Sequence, residues 1–82
     1  MKAKVLKLGE KLFDGKAIRI VLPAVNGEMC LLPRHISIIT PLKKGIIKIF
    51  KPDSERPILI EINEGICSFS NNEAVFILGD QI

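Results

Sequence analysis

Period-two alternation of apolar and polar residues runs through almost the whole 82-residue sequence, and it constrains the fold more than any other feature. Such alternation places one set of side chains on each face of a pleated strand, whereas a helix repeats every 3.6 residues. In KAKVLKL, Ala3 and Val5 alternate with Lys2 and Lys4 until Leu6 shifts the register; in AIRIVL, Ile18, Ile20 and Leu22 face one way, Arg19 and Val21 the other. GIIKIF (Gly45 to Phe50), ILIEI, ICSFS and EAVFILG repeat the signature with Ile, Val and Phe, which fill a pleated surface well. No helical stripe interrupts them. Ile18, Ile20, Leu22, Ile47, Ile60 and Phe76 are the expected core.

The separators name the connections. Asn71-Asn72 tolerates the positive φ values of a tight primed hairpin turn, and KPDSERP (Lys51 to Pro57) makes a longer hairpin loop bounded by prolines. Hairpins imply antiparallel neighbours. Short strands with turns this frequent describe an all-β antiparallel sandwich or barrel, and a chain of this length holds a single domain, residues 1–82. A domain this small buries only roughly 60–65% of its unfolded surface, so its stability is expected to be modest.

Composition excludes several classes of function. The start MKAKVLKLGEKLF is broken by Lys2, Lys4 and Lys7 and lacks the apolar run of an export signal, and no apolar stretch approaches a membrane span. The expectation is a soluble protein made in the cytoplasm. Cys30 and Cys67 have no C-x-x-C spacing and are expected to be small core residues and free thiols. Charge is lopsided: residues 1–51 carry a balance of +8, residues 52–82 one of −5. That asymmetry invites a nucleic-acid reading, a small basic β-barrel or adaptor module. Single-strand binders also need aromatic stacking platforms, however, and this chain has no Trp, no Tyr and four Phe in apolar contexts. Alternating lysines that solvate and guard strand edges are the simpler account.

Catalytic chemistry has little to stand on. Cys30 and His35 would need an orienting third group and an oxyanion site to act as a nucleophile pair, and a metal at His35 would need more ligands than single carboxylates such as Glu28. LFDG and NEGI each hold one glycine and do not make a phosphate loop. The reading is therefore of a non-catalytic protein with no cofactor and no metal.

One stretch remains, GEMCLLPRHISIITPLKKG, with the single histidine between two prolines. It reads as a structured loop: Gly27 turns, Glu28 projects, Pro33 ends a short apolar segment, and His35 begins an apolar strand running to Pro41. With LFDG before it, and with NEGI and NNEAVFILGD after it, the stretch resembles the amino-terminal domain of the epsilon subunit of F-type ATP synthases. That family's pattern runs L/M-F-x-G, then G-E-x-G-hydrophobic-x-P-x-H, then a Leu/Ile-Thr-x-hydrophobic-K-x-G turn, then a Gly-containing strand start. The four elements occur in order, at matching spacing, over essentially the whole chain. The family usually has glycine at Cys30, glycine or asparagine at Arg34, and Ala-Pro at Ile36-Ser37.

The resemblance implies a sandwich of about ten short strands. It also implies a place in the rotor, on the central stalk, bound to the gamma subunit and resting on the ring of membrane c-subunits. There the domain would couple proton-driven rotation to ATP synthesis from ADP and phosphate without catalysing it, peripheral to the cytoplasmic face of a bacterial inner membrane. Glu28 matches the acidic position that faces the c-ring, and His35 the family histidine. Arg34 and Thr40 complete the expected interface with gamma or the c-ring. Family members continue past LGD into two carboxy-terminal helices; this sequence ends at Ile82, so nothing about nucleotide binding or inhibition is carried over.

Overall fold

The computed structural model describes residues 1–79, and every regular element in that span is a strand. They are β1 (Lys2–Lys7), β2 (Glu10–Lys16), β3 (Arg19–Ala24), β4 (Gly27–Leu31), β5 (Ile38–Leu42), β6 (Gly45–Phe50), β7 (Ile58–Ile62), β8 (Gly65–Ser70) and β9 (Glu73–Leu78). Asp80, which closes the NNEAVFILGD motif, lies outside the described residues with Gln81 and Ile82.

The strands form one hydrogen-bonded path, β2-β1-β9-β8-β5-β3-β6-β7, with β4 attached to β3. The path bends where β5 meets β3, at the single pair Ala24 and Leu42. Two halves, β2-β1-β9-β8-β5 and β4-β3-β6-β7, therefore close over one core as a curled β-sandwich. Three details hold the bend. The Val25 amide donates to the Pro41 carbonyl, and the Lys43 amide donates to that of Pro23, over 3.1 and 2.9 Å. The third is close approach: a Cβ on Gly45 would lie 2.8 Å from that of Pro23.

Alternation explains the core. Ala3, Val5, Cys67, Phe69, Ala74 and Phe76 face inward from one half, and Ile20, Leu22, Leu31, Ile47 and Ile49 from the other, all at 0–1% exposure. The Asn71 and Asn72 turn has φ values of 50° and 59°, the primed conformation expected between β8 and β9. The change at Leu6 is visible as well: the β1–β2 register shifts between Val5 and Leu6.

Five expectations need correction. Ile18 is 51% exposed, because it sits in a bend before β3 begins rather than on the inward face of that strand. Ile60 is only half-buried, packed against the core from outside it. Cys30 is exposed, since it shares the outward face of β4 with Glu28. Gly27–Leu31 is a strand hairpinned to β3, so the loop in that stretch shrinks to the residues between β4 and β5, and the apolar strand begins at Ile38 rather than His35. Finally, not all pairs are antiparallel: β1 and β9 run parallel, with Lys2 opposite Glu73 and Val5 opposite Phe76.

Candidate functional site

The four expected interface residues occupy three environments. Arg34 and His35 lie in the loop between β4 and β5, at the end of the sandwich that also carries the Asn71-Asn72 turn. Arg34 has φ +68°, in the left-handed region, and its backbone N–H donates to Asn72 Oδ1 over 2.8 Å. This backbone geometry accounts for glycine or asparagine being the residues that suit the position. The His35 amide donates to the Leu32 carbonyl over 3.1 Å, which closes the turn around Pro33. Its ring Nδ1 donates to the Ile36 carbonyl over 2.7 Å. The ring edge also meets buried Phe69, with centroids 5.9 Å apart and planes at 88°.

Glu28 is exposed on the outer face of β4, opposite Pro23 of β3, and is in no ion pair or hydrogen bond among the described residues. It stands three strand residues before Leu31, about 10 Å from the start of the His35 loop at the strand's rise. The structure thus joins Arg34 to His35 but leaves Glu28 toward the other end of the stretch. Thr40 is half-buried opposite Cys67, which faces the core, and its hydroxyl donates to the Pro41 carbonyl over 3.4 Å. It supports β5 from the inside.

Two features around this stretch were missed in the sequence. Ile39 is 74% exposed on the outer side of β5, and with Pro41, Ile66, Ile77 and Leu6 it forms an apolar outer face across four strands. The alternation assigned one apolar face per strand, and these isoleucines populate the second. Leu8 is 74% exposed at the tip between β1 and β2, where its φ of 52° demands a left-handed backbone from a residue that adopts it poorly.

Electrostatics is dominated by surface pairs. Lys11 Nζ donates to Asp14 Oδ2 over 3.0 Å and, with help from the fields of Lys4 and Lys2, holds the Asp14 carboxyl below its usual 3.8. Lys4 approaches Glu73 at 3.7 Å. Burial pushes the Cys67 thiol up to about 12, so it stays protonated and inert at neutral pH. Among the described residues no three His, Cys, Asp or Glu side chains gather as a metal site requires, and no helix is long and apolar enough to cross a membrane. Phe69 and Phe76 are buried, and the Arg19 guanidinium covers Phe50 at 4.0 Å from its ring centre. Stacking platforms for bases are therefore not built from these rings.

Known proteins provide a frame for this geometry. The family model of the ATP synthase delta/epsilon chain β-sandwich domain matches residues 1–82. The ATP synthase epsilon chain of Pelagibacter ubique is 48% identical over 65 residues, covering 77% of this chain and 48% of its own length. That of Neisseria meningitidis serogroup B is 28% identical over 80 residues, covering 98% of this chain and 56% of the relative. The chain spans about half the length of the curated relatives it matches. Two solved structures share the fold. The central stalk and c-ring structure of the Tetrahymena thermophila mitochondrial ATP synthase aligns at TM-score 0.77 and 14% identity, over 96% of this chain and 63% of that one. The OSCP/F1/c-ring structure of the Euglena gracilis mitochondrial ATP synthase aligns at 0.84 and 15%, over 93% and 48%.

Proposed function

The chain belongs to the ATP synthase delta/epsilon chain β-sandwich domain family, and from that membership we propose that it is a non-catalytic part of the central stalk of a rotary ATP synthase. In this role it binds the gamma subunit and rests on the c-subunit ring, so that proton-driven rotation of the ring is passed to the stalk that drives ATP synthesis. It reaches the cytoplasmic face of the membrane only through the complex.

The observation that carries the reading is the family match over the full 82 residues, and the physics of the fold fits it. A body that transmits torque must resist shear, and here eight strands share one hydrogen-bonded path, with β4 paired to β3 beside it, around one close-packed core. Contacts then fall to what the sandwich presents. Arg34 and His35 are held in a loop pinned to Asn72 and Phe69, and Glu28 offers a free carboxylate on β4. Thr40 backs the stretch from within. An exposed charge pair is worth at most about 1 kcal/mol, so grip requires several contacts acting together.

The test is assembly. The 82-residue chain, tagged and mixed with the gamma subunit and c-ring of its own enzyme, is expected to co-purify with them and to support ATP-driven proton pumping by an enzyme depleted of the endogenous subunit. A chain that folds but is retained by neither partner would overturn the proposal.

A further inference from the structure

A recess at the Asn71-Asn72 end of the molecule is lined by Met1, Lys2, Lys16, Asn71 and Asn72. Its chemistry is one-sided: two lysine ammoniums, the α-ammonium of Met1 and two side-chain amides, with no carboxylate in the lining. Lys2 and Lys16 are directly opposite each other across β1 and β2. The neighbouring pair, Met1 and Ala17, exchanges both backbone hydrogen bonds, at 3.0 and 2.8 Å. Lys2 and Lys16 are therefore a non-hydrogen-bonded pair, the kind whose side chains stand closest, and like charges so placed repel.

The surrounding carboxylates relieve that repulsion only in part, Asp14 acting on Lys2 through its field and not through an ion pair. Glu73 is opposite Lys2 in the parallel register, yet its carboxylate turns to Lys4 at 3.7 Å. Asp14 is engaged by Lys11 at 3.0 Å. Both acids of this face are thus committed to other lysines, and Lys2 and Lys16 form no ion pair among the described residues. Asn72 adds a donor of fixed direction. Its Oδ1 accepts the Arg34 amide over 2.8 Å and its backbone carbonyl accepts the Lys2 amide over 3.1 Å, so its side-chain NH2 is the part left to offer a ligand.

We propose that this recess is a binding site for a phosphate-class anion, held by Lys2, Lys16 and the Asn72 amide. A tetrahedral oxyanion accepts charge-assisted bonds from both ammoniums at once and converts their repulsion into a shared attraction. Two sources carry that chemistry, free phosphate or a phosphomonoester in solution and the phosphate of a phospholipid head group. The site does not depend on the rotor reading, since it involves neither Glu28 nor His35.

The experiment follows backbone amide NMR signals of the 82-residue chain during titration with inorganic phosphate at constant ionic strength, and in parallel measures co-sedimentation with phosphatidylglycerol or phosphatidylcholine vesicles. Saturable shifts centred on Lys2, Asn71 and Asn72 support the site with a soluble source. Binding to phosphatidylglycerol vesicles alone supports it with a lipid source. In either case Lys2→Gln and Lys16→Gln should each weaken binding about tenfold, the effect of losing one charge-assisted bond. Lys43→Gln, at the other end of the sandwich, should leave it unchanged. No saturable response in either arm, or equal losses for Lys43→Gln and Lys16→Gln, would overturn the proposal. Both outcomes are readable because all three lysines are on the surface, where such changes leave the fold intact.

Discussion

The His35 ring meets Phe69 edge to face while its Nδ1 holds the Ile36 carbonyl, so one side chain ties the β4–β5 loop both to the core and to itself. Replacing His35 with alanine removes both ties and should cost the 82-residue chain about 1–2 kcal/mol in chemical denaturation. His35→Phe keeps the ring contact and should recover part of the loss. Equal losses in the two variants would mean that the hydrogen bond alone matters.

Arg34 provides a change of opposite sign. Its φ of +68° costs an arginine about 1 kcal/mol that glycine does not incur. Arg34→Gly should stabilise the free chain by up to that amount, seen as a higher denaturation midpoint, because the backbone bond to Asn72 is retained. If Arg34 grips a partner, the same variant should assemble less well. A destabilised variant would show that the arginine side chain repays its strain within the domain.

The two thiols should behave differently. Cys30 is exposed and Cys67 fully buried, so a thiol reagent should modify one cysteine per folded chain and two after unfolding. Cys67 also sets a pH dependence. Its folded pKa, about 12, exceeds the ordinary 9.0, so above about pH 9 the unfolded chain binds fewer protons than the folded one. Its contribution to stability is full below that pH and declines as pH rises toward 12. Denaturation of Cys67→Ala across the same range should lack this component of the decline, although the variant is less stable throughout.

Gly45 tests the bend between the two halves. An added Cβ would meet Pro23 at 2.8 Å, and overpacking of this kind costs about 1–3 kcal/mol. Gly45→Ala should therefore lower the thermal midpoint clearly. An unchanged midpoint would mean that the bend is compliant and that its close approach does not hold the sandwich.

Glu28→Lys separates fold from assembly. The carboxylate is exposed without an intramolecular partner among the described residues, so reversing it should change stability by no more than about 0.5 kcal/mol. Against basic groups on a c-ring the same reversal sets like charges together, which can cost several kcal/mol. Proton pumping should fall while the midpoint holds. Unchanged pumping would remove Glu28 from the interface.

Much of this architecture was legible because its causes are local. Alternation in β6, β8 and β9 follows from the two-residue pleat, and the Asn71-Asn72 turn follows from which residues accept positive φ. The epsilon-type pattern was legible for a different reason, the order and spacing of four motifs. What could not be read was either non-local or weakly patterned. β2, EKLFDGK, is largely exposed and carries almost no alternation, so it read as a motif rather than a strand. Cys30 was assigned to the core by its chemistry and Ile18 by its place in the alternation of AIRIVL. Their true exposure depends on which face of β4 is covered and on where β3 starts. For the site, the separation of Arg34 and His35 from Glu28 depends on β4 being a strand, and its sequence GEMCL lacks the β-branched residues that would have announced one.

The parallel pairing of β1 with β9 has a consequence for how the molecule comes into being. The hairpins β3–β4, β6–β7 and β8–β9 can each close as soon as their own residues exist, but β1 finds its second neighbour only when β9 has been made. Until then one edge of β1 is open, with Val5 and Ala3 lacking the Phe76 and Ala74 that flank them in the finished sheet. Closing so long a loop is entropically expensive and slow compared with a hairpin. Folding on the ribosome should thus wait, largely assembled but unsealed, for the last described strand to emerge, and a chain interrupted before Glu73 should be a substrate for proteases rather than a smaller working domain.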